Sequence, residues 1–314
     1  MTDLKEIRVK RKSSADAVKA NQGLFYSLAS DEGSKKDTVN DNTIHPFWTI
    51  ISDDVKLIDE DTGDIIFIMQ RNVVSVDKAK VAYEKLMPVA KSNSNSNRGI
   101  AGGMLDMDKI YTTRPNFKIG KQTAFRVYPM LKTGQVGKTH YCNPVSSSIV
   151  GWTDIPKRDE KHVKCRMTAF TARNFDKFQE TFPFFESIDD VYAKLAPEHH
   201  ARQKEFANDT VALIGNTTFS TITVNHLFRS ALHKDAGDYK GGLGAFCVYQ
   251  STPEGGELLF PEYGIAARVC TGDVLLFNSH LWHCTAPVTA KDRLTFVCYL
   301  RINVPKNCPR RADK

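Results

Sequence analysis

The sequence predicts an α+β protein: a double-stranded β-helix, or jelly-roll, core near the C-terminus, buttressed by helices from the N-terminal half. Three observations predict it. Between residues 219 and 304, short runs rich in β-branched and aromatic residues recur with glycine-bearing turns between them. The stretch before them, Asn174 to Ala207, has a helical pattern punctuated by Pro197. No window approaches the eighteen or more apolar residues that a membrane span needs; Ile65 to Met69 has only strand length.

In chain order, residues 1–44 are polar and rich in Lys, Ser, Asp and Asn, which predicts a mobile arm with a short helix from Ser14 to Leu28. Arg8 to Lys12 reads as a charged end rather than an address signal. Residues 45–218 are expected to form an N-terminal α/β extension that packs on the core and covers its site. Within it, His45 to Val74 reads as two strands around the turn residues Asp61-Thr62-Gly63-Asp64. Asp77 reads as the N-cap of a helix from Lys78 to Met87, closed by Pro88. Ser92 to Arg98 is a low-complexity loop, and residues 106–170 show no catalytic motif. Helices follow at Asn174–Thr181, Ser187–Leu195 and around Ala201–Ala207, with His199 and His200 in an exposed loop between the last two. Core strands are expected at Phe219–Phe228, Gly244–Tyr249, Glu257–Phe260, Gly264–Val269, Asp273–Phe277 and Arg293–Ile302. Residues 219–304 make the catalytic core, and residues 305–314 a basic tail.

The 314 residues, 41% of them hydrophobic, suit one large decorated domain, expected to be a monomer. A net charge of +7 favours a polyanionic partner. Tyr111, Arg114, Phe117, Lys118, Lys121, Phe125, Arg126 and Tyr128 interleave rings with cations, as nucleic-acid surfaces do. Seven cysteines with no Cys-x-x-Cys pair argue against a disulfide framework and a structural zinc site. Charges in Met1 to Glu6 argue against a secretory signal. An intracellular, reducing compartment is expected: the nucleus in a eukaryote, the cytoplasm in a bacterium or phage.

The chemistry concentrates in three places. Alternate side chains of an extended chain share a face, so His233 and Asp235 point together while Lys234 points away. His283 brings a second imidazole, and two histidines with one carboxylate are the set that holds Fe(II) on one octahedral face and leaves positions open. His280, three residues earlier, competes for that place; His283 is preferred because Cys284-Thr285-Ala286-Pro287-Val288 follows it and Arg293 lies ten beyond. Arg293 and Thr295 then face inward together, a guanidinium and a hydroxyl suited to the far carboxylate of 2-oxoglutarate. A lone His-x-Asp is more often a surface pair than a ligand pair; the ordered set of four elements is what singles this one out.

These residues resemble the Fe(II)/2-oxoglutarate dioxygenases and, among them, the TET/JBP group, which oxidises the 5-methyl group of cytosine or thymine in DNA. The carrying stretches are His233 to Asp238, Gly272 to Phe277, His283 to Val288 and Arg293 to Tyr299. The resemblance covers roughly residues 219–302. It implies Fe(II) held by His233, Asp235 and His283, 2-oxoglutarate as co-substrate held by Arg293, Thr295 and Asn225, and O2 as oxidant. It also implies a DNA substrate, 5-methylcytosine ahead of thymine, taken as a flipped base. Asp238 then becomes an acceptor for an exocyclic amine and Tyr299 the ring beside the base, with Arg229 and His280 as further substrate contacts. Each has a plainer reading: a turn aspartate, a core tyrosine, a barrel-lining hydrogen bond and a pocket wall. Two other functions fit the same residues: hydroxylation of a protein side chain or metabolite, and a non-catalytic nucleic-acid-binding scaffold. Ascorbate in place of 2-oxoglutarate is a further variant that Arg293 and Thr295 argue against.

Overall fold

Alternation along the last core strand, Leu294–Tyr299, decides which side of the main sheet is which. Leu294, Phe296 and Cys298 enter a core shared with helices, while Thr295, Val297 and Tyr299 line a cavity on the opposite face. The computed structural model describes residues 4–28, 48–92, 98–155, 164–207, 210–252 and 255–308.

The strands are β1 (Lys5–Val9), β2 (Thr49–Ile51), β3 (Val55–Asp59), β4 (Ile65–Gln70), β5 (Ile119–Gln122), β6 (Val127–Pro129), β7 (Ser147–Ile155), β8 (Lys164–Met167), β9 (Thr221–His226), β10 (Gly244–Tyr249), β11 (Leu258–Phe260), β12 (Ile265–Ala267), β13 (Val274–Phe277), β14 (Cys284–Thr285) and β15 (Leu294–Tyr299). The helices are α1 (Ala15–Lys19), α2 (Val76–Lys91), α3 (Met107–Thr113), α4 (Ala169–Arg173), α5 (Phe175–Gln179), α6 (Phe182–Leu195), α7 (Pro197–Ala207) and α8 (Asn303–Asn307).

Nine strands form the main sheet in the order β1-β3-β4-β13-β10-β15-β9-β7-β8, and four form a smaller one, β14-β11-β12-β2. From β9 onward the chain passes between the two sheets: β9 and β10 lie in the main sheet, β11 and β12 in the small one, β13 in the main, β14 in the small and β15 in the main. This alternation is the double-stranded β-helix that the strand spacing predicts. Phe246, Val248, Leu275 and Phe277 of the main sheet meet Leu258, Phe260, Ile265 and Ala267 of the small one in a shared core. On the other face, α2 lays Ala79, Ala82, Leu86 and Ala90 against the sheet, a helical spacing that puts small residues at the contact. Phe184 and Phe185 of α6 pack on Phe296 with ring centroids 5.3 and 6.0 Å away.

Several expectations need correction. Residues 4–28 are no loose arm: β1 pairs in parallel with β3, and Val18 and Tyr26 are buried. The helix expected from Ser14 to Leu28 is the single turn α1, capped by Ser14. The cap of α2 is Ser75, not Asp77, and the helix runs through Pro88 to Lys91. His199 and His200 sit within α7, where His200 Nε2 meets Asp189 Oδ2 at 3.0 Å. Cys165 and Cys308 are joined as a disulfide, which the odd cysteine count concealed. Residues 29–44, most of the Ser/Asn loop and the tail beyond residue 308 lie outside the described residues. No helix among the described residues is long and apolar enough to cross a membrane.

Candidate metal centre and its cavity

His233 does not lie on a regular strand. It forms an isolated antiparallel bridge with His283, the two backbones exchanging hydrogen bonds of 3.0 Å in each direction. That bridge brings two residues fifty positions apart face to face, with ring centroids 4.4 Å apart. Asp235 Oδ1 lies 3.6 Å from His233 Nε2 and Asp235 Oδ2 lies 3.4 Å from His283 Nε2. One donor atom from each of the three falls within 4.8 Å of the others, the single such group of three among the described residues.

The donor set fits a divalent cation. His233 Nδ1 is 2.8 Å from the Ala231 carbonyl and His283 Nδ1 is 2.9 Å from the Leu281 carbonyl. A carbonyl only accepts, so each Nδ1 carries the hydrogen and each Nε2 keeps its lone pair for a metal. Burial, with help from His283, pushes His233 down to about 4, which keeps it a neutral ligand. Burial alone would raise Asp235, but its closeness to His283 and His233 outweighs burial and holds the carboxyl below its ordinary value.

The three residues open on a cavity of about 370 Å³. Asn225, Thr295, Asp238 and Tyr299 line it, as the sequence suggests. Arg98, Arg126 and Arg301 add a polar wall whose place at this cavity the sequence did not reveal. Arg98 Nε donates to Ser147 Oγ at 2.6 Å, Ser147 Oγ donates to Asn225 Oδ1, and Asn225 Nδ2 donates to Thr295 Oγ1 at 3.0 Å. The remaining nitrogen Arg98 Nη2 is buried without a partner. Arg98 is a lining residue of the cavity, and a carboxylate is the natural complement of a guanidinium placed there.

Three expected contacts are placed elsewhere. Arg293 is 1% exposed but does not line the cavity wall; its Nη1 and Nη2 donate to Gln250 Oε1 and the Gly256 carbonyl, and its Nε is unpartnered. Burial lowers it to about 10. Arg229 Nη2 donates to the Tyr26 carbonyl at 2.8 Å and its guanidinium covers Phe25 at 5.0 Å, tying the N-terminal segment to the barrel instead of reaching substrate. His280 is absent from the lining, with a buried, unpartnered Nε2. Arg98 had no visible motif because it follows a Ser/Asn run 135 residues before His233; only the fold closes that distance. Arg301 was within reach of reasoning, since it continues the inward alternation Thr295, Val297, Tyr299.

Comparison with known proteins fits this geometry. Residues 149–302 match the family described as Tet_JBP, oxygenase domain of the 2OGFeDO superfamily. Among curated proteins, the chain is 38% identical over 162 residues to "Bifunctional helicase and thymine dioxygenase JBP2" of Leishmania tarentolae, covering 50% of this chain and 15% of that protein. It is 36% identical over 161 residues to "Thymine dioxygenase JBP1-B" of Trypanosoma cruzi, covering 49% and 19%. The chain thus spans less than a fifth of the length of these relatives. A solved structure of NgTET1 in complex with 5mC DNA is similar at a TM-score of 0.49 and 11% identity, over 83% of this chain and 85% of that one. Fe(II), 2-oxoglutarate and O2 are the reactants of this superfamily, and the triad at His233, Asp235 and His283 lies within the matched residues. Residues 149–302 thus match the Tet_JBP oxygenase domain of the 2OGFeDO superfamily, the group that the ordered residues His233, Asp235, His283 and Arg293 resemble.

Proposed function

We propose that this chain is an Fe(II)- and 2-oxoglutarate-dependent dioxygenase that hydroxylates the 5-methyl group of a pyrimidine in DNA, acting as a monomer on a base flipped from the duplex. The observation that carries the reading is the meeting of His233, Asp235 and His283 at the wall of a cavity that Arg98 also lines. The sequence reading put 5-methylcytosine first. The relatives at 36–38% identity are named thymine dioxygenases, which moves thymine ahead.

When bound, iron supplies the redox chemistry by which O2 is shared between 2-oxoglutarate, leaving as succinate and CO2, and the methyl C–H bond. The chain's own residues bind and orient. His233, Asp235 and His283 hold the metal, their tautomers set by the Ala231 and Leu281 carbonyls. Thr295 and Asn225 offer polar groups to the co-substrate, and Arg98 offers the charge. Arg293, buried two residues before Thr295, gives its guanidinium to Gln250 and the Gly256 carbonyl. Asp238, Tyr299 and Arg301 line the same cavity and are the groups available to a base. Asp238 is buried and sits near Asp235, and both effects raise its carboxyl well above the ordinary range.

The test is nucleoside mass spectrometry after incubating the protein with iron, 2-oxoglutarate and duplexes containing thymine or 5-methylcytosine, beside a His233→Ala control. Hydroxymethyluracil or hydroxymethylcytosine should appear with the native chain alone. Succinate formed on a peptide or metabolite, with neither oxidised base, would transfer the chemistry to another substrate.

A further inference from the structure

One segment of this chain carries positive charge with no acidic residue among it. From Lys109 to Thr153 there are seven Lys and Arg residues and no Asp or Glu. Removing those seven from the total of 43 leaves 36 cations against 36 acidic residues, so the rest of the chain is neutral and this segment carries the whole net charge of +7.

The segment has its own small architecture. Strands β5 and β6 pair as an antiparallel hairpin, Met130 bridges Val136, and Val127 bridges Tyr141. Its aromatic rings are spent internally: Phe117 packs edge-on to Tyr111 and Tyr141, Tyr128 meets His140, and Arg114 covers Tyr141 at 4.0 Å. Those contacts engage Phe117, Tyr128 and Tyr141, while Tyr111 stays exposed beside them. The cations are the opposite case. Lys118, Lys121, Lys132 and Lys138 are all exposed, and none of them has an ion-pair partner among the described residues. Arg126 is exposed too, and it lines the active-site cavity beside Gly99, whose added Cβ would lie 3.5 Å from its Nη2. The acid-free surface therefore begins at the cavity mouth. Almost all of it precedes residue 149, where the family match starts.

We propose that this hairpin segment is the docking surface for the sugar-phosphate backbone of duplex DNA, holding the strand beside the cavity while one base enters it. This rests on the proposed DNA substrate. Cations facing solvent, on a 45-residue segment that contains no carboxylate, suit evenly spaced phosphates. Exposed lysines carried on a paired hairpin suit contact with the backbone, and the proposed substrate is a base of a duplex, so duplex DNA is the occupant.

The experiment replaces Lys118, Lys121, Lys132 and Lys138 by alanine together, leaving Arg126 intact because it lines the cavity. A control removes the same charge from the helical side, as K78A/K80A/K194A/K204A. Fluorescence anisotropy is recorded on a thymine-containing duplex, the matching single strand and phosphatidylserine vesicles across a salt series, with melting and 2-oxoglutarate binding followed in parallel. The hairpin variant should bind the duplex at least about tenfold more weakly, and its slope of log affinity against log salt should fall by roughly 3 to 4, near 0.9 per lost phosphate contact. Melting and 2-oxoglutarate binding should stay as in the native chain, and the control should keep native DNA binding. An unchanged slope, an equal loss in the control, or native binding to vesicles or single strands in preference to duplex each overturns the proposal. Oxidised nucleosides with an unchanged slope would overturn this surface alone, whereas a lost slope without oxidised nucleosides would overturn the proposed reaction alone.

Discussion

Arg98 and Arg293 both bury a guanidinium with one nitrogen lacking a partner, but they answer to different neighbours. Arg98 faces the cavity through a polar chain to Thr295; Arg293 is clasped from behind by Gln250 and Gly256. A charge-assisted hydrogen bond contributes about 1.5–3 kcal/mol. Arg98→Ala should therefore raise the KM for 2-oxoglutarate roughly 10- to 100-fold, with Arg98→Lys intermediate and Mn(II) affinity retained; calorimetric titration with each ligand reads both. Gly256 adopts φ +72°, and a Cβ there would lie 2.7 Å from Arg293 Nε. Gly256→Ala should lower stability by at least about 1–2 kcal/mol from the left-handed backbone alone, seen as a lower denaturation midpoint. A native midpoint would mean that Arg293 moves freely, contrary to its packed setting.

At the level of elements, the N-terminal segment is fastened by one buried carboxylate. Asp59, at the end of β3, accepts hydrogen bonds from Arg11 Nε at 2.8 Å, Tyr263 Oη at 2.6 Å and the Asp61 and Thr62 amides at 2.9 and 3.1 Å. Burial would raise this carboxyl, yet these donors together hold it below its ordinary value. A depressed folded-state pKa means that the stabilisation is complete above the unfolded value of 3.8 and is lost as pH falls below it. Asp59→Asn should remove roughly 1.5–3 kcal/mol at neutral pH and flatten the acid limb of the stability curve below pH about 4. Denaturant melts at pH 7 and pH 3 measure both; equal losses at the two pH values would contradict the assignment. The same element shows why the cap of α2 was misplaced. Ser75 and Asp77 are both good caps, and only the entry angle from β4 selects Ser75.

For the whole molecule, the disulfide between Cys165 and Cys308 spans a separation of 143 residues and fastens β8 to the turn after α8. The loop it closes includes His233, Asp235, His283 and Arg301. Closing so long a loop contributes about 2–4 kcal/mol by restricting the unfolded chain. Reduction, or Cys308→Ser, should therefore lower Tm by several degrees without changing metal affinity. Identical melting with and without reductant would show that the bond does not form in solution.

What the sequence by itself determined was local. The alternation in β10 and β15 and the glycine-bearing turns marked the barrel, and His233, Asp235 and His283 stood out because few residue types bind metal and their order matched a known pattern. Thr295, Tyr299 and Asn225 followed from strand periodicity, and Asp238 from the family resemblance. Tertiary structure alone decided which cations face the cavity. Arg293 has the expected sequence position but its guanidinium turns to internal acceptors, and Arg98 reaches Ser147 and the cavity from a loop that no motif marks. The physical reason is that periodicity orients a side chain relative to its own strand, whereas a long flexible guanidinium goes where packing of distant segments leaves it a partner.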